Sequence, residues 1–313
     1  MNNVIDWDNV QAHELKGGFA IQDSEITAQL STYLSNYNWT PFLKNDGRLD
    51  DVREEYISTF RTWIHSSTNN KINLGPFSHA TITNGTSEAF QMFMQRHNHR
   101  TFKFREGEFI MHKITANNMN LDWAFLNDDE FTPHDAFIAS VPYSNLCDIS
   151  SVNRLKTLLV HCNKMKIPVL LDLAYFGTVS DIELDLSDPL FSCVEDVVFS
   201  LGKTFPLIGS RPGIRFQRRV TDDAVYFGNQ HGIVNNFACV AGTHAMKSFD
   251  ADYIYNKYIG VANTVARSLN AENTASIIFA SSLDTRYESI QRVPYEKTRL
   301  CISNFITRIY NDG

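Results

Sequence analysis

Two apolar runs in the middle of this 313-residue chain each end in a polar residue. Pro168 to Leu173 runs through Asp172 into Ala174-Tyr175, and Asp196 to Ser200 runs into Leu201-Gly202-Lys203. An unbroken apolar run reads as a strand buried on both faces. Such a strand needs helices on both sides of its sheet. The pair therefore predicts an α/β fold with a mostly parallel sheet sandwiched by helices. In sheets of this kind ligands bind at the carboxyl ends of the strands, where Asp172 and Ser200 fall.

The rest of the chain fits that plan. Residues 48–64 carry apolar residues at helical spacing and predict an amphipathic helix. Thr81-Ile82-Thr83 reads as a strand, Asn84-Gly85-Thr86 as a turn, and Ser87 to Arg96 as a helix. Further strands are expected at Phe109 to Lys113, Trp123 to Leu126 and Ala136 to Val141, and a helix at Val152 to Lys166. Tyr253 to Leu269 reads as a long helix. Strands at Ser276 to Ala280 and Arg299 to Ile306 would build a smaller α+β lobe. The expected division is a large lobe over 40–255 and a reduced one formed by 1–39 and 256–313.

Charge narrows the partners. The net charge is -7, which argues against nucleic acid or an anionic membrane as the main partner. No apolar stretch approaches the roughly 18 residues that span a bilayer. The opening Met1 to Asp8 lacks the basic and apolar regions of a signal peptide. The five cysteines are scattered without metal-ligand spacing, and they read as reduced thiols of a cytoplasmic protein.

A set of residues at the strand ends carries chemistry. Lys203 sits between Val197-Val198-Phe199 and Phe205-Pro206-Leu207-Ile208, an apolar setting that is unusual for a solvated lysine. Arg211, eight residues on, offers a fork for phosphate oxygens, and Ser200 adds a hydroxyl. Gly85, Thr86 and Ser87 stand where a strand meets a helix, so their N–H groups can cradle a phosphate. A simple helix cap with Glu88 fits the same residues. Asp172 at a buried strand end needs a partner, and a pyridine nitrogen would be one. Tyr175 could donate to a phenolic oxygen of the same ring; a cap aspartate and a core tyrosine fit equally. A lysine able to form an imine, an arginine for phosphate and an acid for a ring nitrogen are together the parts that hold pyridoxal 5'-phosphate.

In order and spacing these motifs resemble the PLP-dependent aminotransferases of class I/II, with the aspartate aminotransferase fold (fold type I). Thr83 to Ala89 resembles that family's phosphate-binding turn, Asp172 to Tyr175 its D-x-A-Y, and Ser200 to Lys203 its S-x-x-K. The resemblance implies a Schiff base at Lys203 and a phosphate contact at Arg211. It also implies Asp172 at the ring nitrogen, with Tyr175 and Asn145 at the ring oxygen. His112 is the candidate to stack on the ring, and a packed strand histidine is the alternative. Arg299, in Thr298-Arg299-Leu300-Cys301-Ile302-Ser303, resembles the arginine that grips a substrate carboxylate.

The activity implied is amino-group exchange between an amino acid and a 2-oxo acid, in a homodimer. A lyase or decarboxylase on the same scaffold, or a non-catalytic relic of it, shares the same cofactor-binding parts.

Overall fold

The computed structural model describes residues 5–44, 48–126, 130–294 and 296–312. Its strands are β1 (Lys71–Asn73), β2 (His79–Asn84), β3 (Thr101–Phe104), β4 (Trp123–Phe125), β5 (Asp135–Ser140) and β6 (Val169–Asp172). They continue as β7 (Glu183–Asp185), β8 (Val194–Ser200), β9 (Pro212–Gln217), β10 (Glu272–Asn273), β11 (Phe279–Ser282) and β12 (Thr298–Cys301). The helices are α1 (Ser24–Asn36), α2 (Thr40–Lys44), α3 (Arg48–His65), α4 (Gly85–Arg96) and α5 (Met111–Asn118). After them come α6 (Ser150–Met165), α7 (Ala224–Gln230), α8 (Asn236–Ser248), α9 (Tyr253–Ser268) and α10 (Ser303–Asp312).

Seven strands form the central sheet in the order β2-β9-β8-β6-β5-β3-β4. All run parallel except β9, which pairs antiparallel with both β2 and β8. This is the helix-flanked, mostly parallel sheet that the apolar runs predict. The burial explains the runs residue by residue. Leu171, Val197 and Phe199 face one core, while Leu170 and Val198 face the other. Period-2 alternation with both faces covered leaves few polar positions along the strands, and one that occurs, Asp196 on β8, is buried with Gln217 as a partner.

The first face is closed by α3 and α8. Helix α3 starts with Asp50 and Asp51, which favour its positive end, and it buries Tyr56, Phe60, Trp63 and Ile64. Those positions recur at helical spacing and make one apolar stripe. Phe60 meets Phe199 and Phe216 edge-on at 6.0 and 6.4 Å. Gly242 lets α8 come close, since a Cβ there would lie 2.8 Å from the Tyr56 ring. Truncating Phe60 to Ala would cost about 3–5 kcal/mol. The second face is closed by α4 and α5, where Phe90 and Phe93 of α4 and Ala116 of α5 pack with Phe102 and Phe104 of β3.

Beyond the central sheet, β10, β11 and β12 form an antiparallel sheet. Helices α9 and α10 pack on each other beside it. Asp23 caps α1 through the Ile26 N–H and also accepts from the Tyr258 hydroxyl at 2.8 Å. Its carboxylate pairs with Lys257 at 2.7 Å, which ties α1 to α9.

Three expected strands are corrected. Phe109 to Lys113 is not a strand: a turn leads into α5, because His112, Thr115 and Ala116 recur at helical spacing and bury together. The strand expected over Arg299 to Ile306 stops at Cys301, and α10 follows. There Ile302, Phe305 and Ile306 share one buried side. The strand expected at Ser276 to Ala280 lies later, at Phe279–Ser282, because Ser276 pairs with Val179 instead.

Candidate active site

The strand ends of β2, β5, β6 and β8 bring most of the candidate residues together. Asp172 closes β6 between β5 and β8, and it is almost wholly buried. Its Oδ1 accepts from the Ala174 N–H at 3.0 Å, the one hydrogen bond it accepts among the described residues. Burial pushes its carboxyl up to about 7, against the pull of that N–H and of Lys203, and the charge of Glu108 adds to the rise. A carboxyl so placed waits for a cationic partner.

Lys203 follows β8 in a tight turn. The turn is anchored by the Thr204 hydroxyl, which donates to the Phe176 carbonyl at 2.6 Å. Burial draws the Lys203 ammonium below its ordinary value, and Arg299 and Arg211 act in the same direction. Cys301 and Asp172 oppose them. Its Nζ donates to the carbonyl of Gly18, in the segment before α1. Lys203 thus feels Asp172, Arg211 and Arg299 at once.

Arg211 ends the connection from β8 and has a positive φ of 56°. Its Nη2 donates to the Ser87 hydroxyl at 3.2 Å, and its carbonyl accepts from the Gly85 N–H at 2.8 Å. Gly85 is required here: its φ is +66°, and a Cβ would stand 2.8 Å from the Arg211 guanidinium. Asn84 makes no side-chain cap for α4, so apart from the Gly85 N–H, which the Arg211 carbonyl takes, the first turn beside Arg211 has no cap from that residue. Ser200 accepts from the Gly202 N–H at 3.2 Å and donates to the Pro212 carbonyl at 3.3 Å, which shapes the turn before Lys203.

Arg299, on β12, is buried, with no carboxylate in its hydrogen-bond set among the described residues. It donates to the Ser144 carbonyl, to the Gly17 carbonyl at 2.8 Å and to the Tyr175 hydroxyl at 3.3 Å, and it lies 4.0 Å from the centre of the Phe279 ring. Tyr175 also meets the Ser144 hydroxyl at 3.3 Å. Burial raises its phenol above the usual range. Asn145 is buried and donates to Glu296 at 2.7 Å.

His112 does not join this group. It lies in α5 with Phe90, Phe104 and Phe109 as its ring neighbours, and burial holds it neutral with a pKa of about 3. The strand that was to turn it toward a ligand is a helix, and its spacing aims it into the second core.

Several contributors were missed in the sequence. Gly17 and Gly18 act through backbone carbonyls, and only their Gly-Gly dipeptide hinted at a chain bend. Ser144, Glu108 and Arg292 lie in loops without a local pattern. A cavity of about 790 Å³ lies elsewhere, against Ile64, Ile72, Leu184 and Phe191, and none of the candidate residues lines it.

The residues fit a phosphate-bearing pyridine. The cradle at Gly85 is closed to any side chain, a cation stands next to it, and a buried acid and a buried amine complete the set.

Comparison with solved structures matches the fold to those of known enzymes. The N-succinyldiaminopimelate aminotransferase of Mycobacterium tuberculosis superposes with a TM-score of 0.68 at 13% identity, covering 100% of this chain and 98% of that one. This chain has the fold of the PLP-dependent aminotransferases. The PLP-bound C-S lyase of Staphylococcus hominis gives 0.66 at 11% identity, with 100% and 93% covered. The histidinol-phosphate aminotransferase of Clostridium acetobutylicum gives 0.58 at 13%, with 95% and 98% covered. No protein-family model and no curated protein matches the sequence.

Proposed function

We propose that this chain is a pyridoxal-phosphate-dependent aminotransferase that exchanges an amino group between an amino acid and a 2-oxo acid. The observation that carries the reading is the convergence on Lys203 of an acid from the end of β6 and an arginine from the connection between β8 and β9. When bound, the cofactor supplies an electron-withdrawing pyridinium ring.

The chain's residues then divide the work. Arg211, the Ser87 hydroxyl and the first N–H groups of α4 bind the phosphate. Asp172, already short of a cation, holds the proton on the ring nitrogen. Tyr175 and Asn145 stand at the ring oxygen, and Ser200 shapes the turn that aims Lys203. The Lys203 amine, made more available by burial, attaches the cofactor and then moves the proton at the substrate α-carbon. Arg299 binds the α-carboxylate, for which it exchanges a backbone carbonyl. Its deep burial and its neutral partners, two backbone carbonyls and the Tyr175 hydroxyl, support that role.

In this reading the lobe over 40–255 carries the cofactor, and 1–39 with 256–313 forms the smaller lobe. The protein works as a homodimer in the cytoplasm. The fold shared with the C-S lyase supports a second reading, a lyase on the same parts.

The experiment follows an isotopically labelled amino nitrogen. Its appearance on a second, unlabelled 2-oxo acid supports transamination. Its release as ammonia with a thiol or an oxo acid supports the lyase. Light scattering that gives a monomer mass at micromolar concentrations would remove the dimer.

A further inference from the structure

Glu108 lies in the turn between β3 and α5, and it is nine-tenths buried, with 9% exposure. Its Oε1 accepts from the Ser140 N–H at 3.2 Å. Ser140 ends β5 directly beside Asp172, its partner in the parallel register. Glu108 therefore belongs to the site, and its charge is felt by Asp172.

Among the described residues its Oε2 is sealed from solvent and lacks a partner in hydrogen-bond geometry, the Ser144 N–H being a backbone donor near the carboxyl. The neighbouring loop repeats the pattern. Asn145 is buried with 1% exposure, and while its amide N–H goes to Glu296, its Oδ1 is also sealed and unpartnered. The two loops touch, since a Cβ on Gly107 would lie 2.9 Å from the Asn145 Cβ. Arg292 spans them, and its Nη1 donates to the Gly107 carbonyl and to the Ser144 hydroxyl, both at 3.4 Å.

Buried oxygens without donors are rare in folded chains. Two on adjoining loops, one of them beside the acid that faces the cofactor's ring, call for a donor-bearing group. Resting on the cofactor reading, we propose that Glu108, with Asn145, reads the substrate's side chain. The substrates selected are amino acids whose side chain ends in a hydrogen-bond donor, a hydroxyl or an amino group. A side chain ending in a methyl leaves both oxygens unpaired, and a site built to pair a donor rejects such an analogue strongly.

The test uses three amino acids of matched length: L-homoserine with a hydroxyl, L-α,γ-diaminobutyrate with an amino group, and L-norvaline with a methyl. The visible band of the lysine-bound cofactor is recorded first, and each amino acid is then titrated against it to give a dissociation constant. Wild type is expected to bind homoserine or diaminobutyrate on the order of tenfold more tightly than norvaline, or better. Glu108→Leu should bring that ratio close to one. Glu108→Gln, which keeps an acceptor oxygen and the volume, should retain most of the preference for homoserine and lose that for diaminobutyrate.

Whichever of the two donors wild type prefers names the group that is read. An equal affinity for all three, or a preference for norvaline, overturns the inference while the cofactor reading stands. So does a ratio left unchanged by Glu108→Leu, or, if that variant does not fold, a diaminobutyrate preference left unchanged by Glu108→Gln. A wild-type protein that shows no lysine-bound band overturns both.

Discussion

The carbonyl of Gly18 accepts a hydrogen bond from the Lys203 amine. One peptide of the segment before α1 therefore occupies the nitrogen that is proposed to bind the cofactor, and Arg299 holds the next carbonyl back, that of Gly17. With cofactor supplied, the Gly18 bond should be given up. Borohydride reduction should then fix the cofactor on the peptide that contains Lys203, as read by mass spectrometry. Lys203→Met should show neither the visible band nor the fixed peptide. Fixation on another lysine would move the site.

The buried carboxyl of Asp172 has a signed effect on the cofactor-free protein. Its folded value is about 7 and its ordinary value 3.8, so between the two the folded chain holds a proton that the unfolded chain has lost. Stability should fall as pH rises through that window and be level outside it, by up to about 4 kcal/mol in all. Asp172→Asn keeps an oxygen for the Ala174 N–H and cannot ionise. It should raise the melting temperature at pH 8 by several degrees, change it little at pH 4, and lose most of the activity. Equal melting curves at both pH values would show that the carboxyl is not desolvated.

Gly85→Ala should weaken the cofactor more than it weakens the fold. The positive φ and the 2.8 Å approach to Arg211 together force the turn open. Strain of this kind costs about 1–3 kcal/mol. Fluorescence titration should give a cofactor dissociation constant raised about tenfold or more. An unchanged constant would take the phosphate away from this turn.

Arg299→Ala should raise the Michaelis constant for amino acids by about 30-fold or more, which corresponds to roughly 2–5 kcal/mol for a desolvated carboxylate left without its partner. The lysine-bound band should stay. Loss of the band instead would mean that Arg299 holds Tyr175 and Ser144 in place rather than binding a substrate.

The sheet was legible because its strands are apolar on both faces. Leu170 and Leu171 point to opposite cores, so no polar residue interrupts the signal. Asp172 and Lys203, at or just after those strands, were singled out for the same reason: a polar residue at the end of an apolar run stands out, and Arg211 was read from its spacing of eight residues after Lys203. His112 was misplaced because a short run with three apolar residues, Phe109, Ile110 and Met111, fits a strand or a helix, and the tertiary partner decided for a helix on Phe90. Glu108, Ser144 and Arg292 meet across loops that are distant in sequence, and nothing local in the chain announces a meeting of that kind. Gly17 and Gly18 contribute only main-chain oxygen, which every residue carries.

The reversal of β9 has a geometrical consequence. Because that strand turns back along β8, Lys203 and Arg211 are carried by a single hairpin connection, residues 201–211. If one end of a rigid molecule is bonded to the lysine and the other is gripped by the arginine, this stretch of chain acts as a ruler matched to the molecule's length. Adding or removing one residue between Thr204 and Ser210 would leave the sheet intact and spoil the measurement. A longer or shorter cofactor analogue would be excluded by the calibration of one loop, with no wall needed to keep it out.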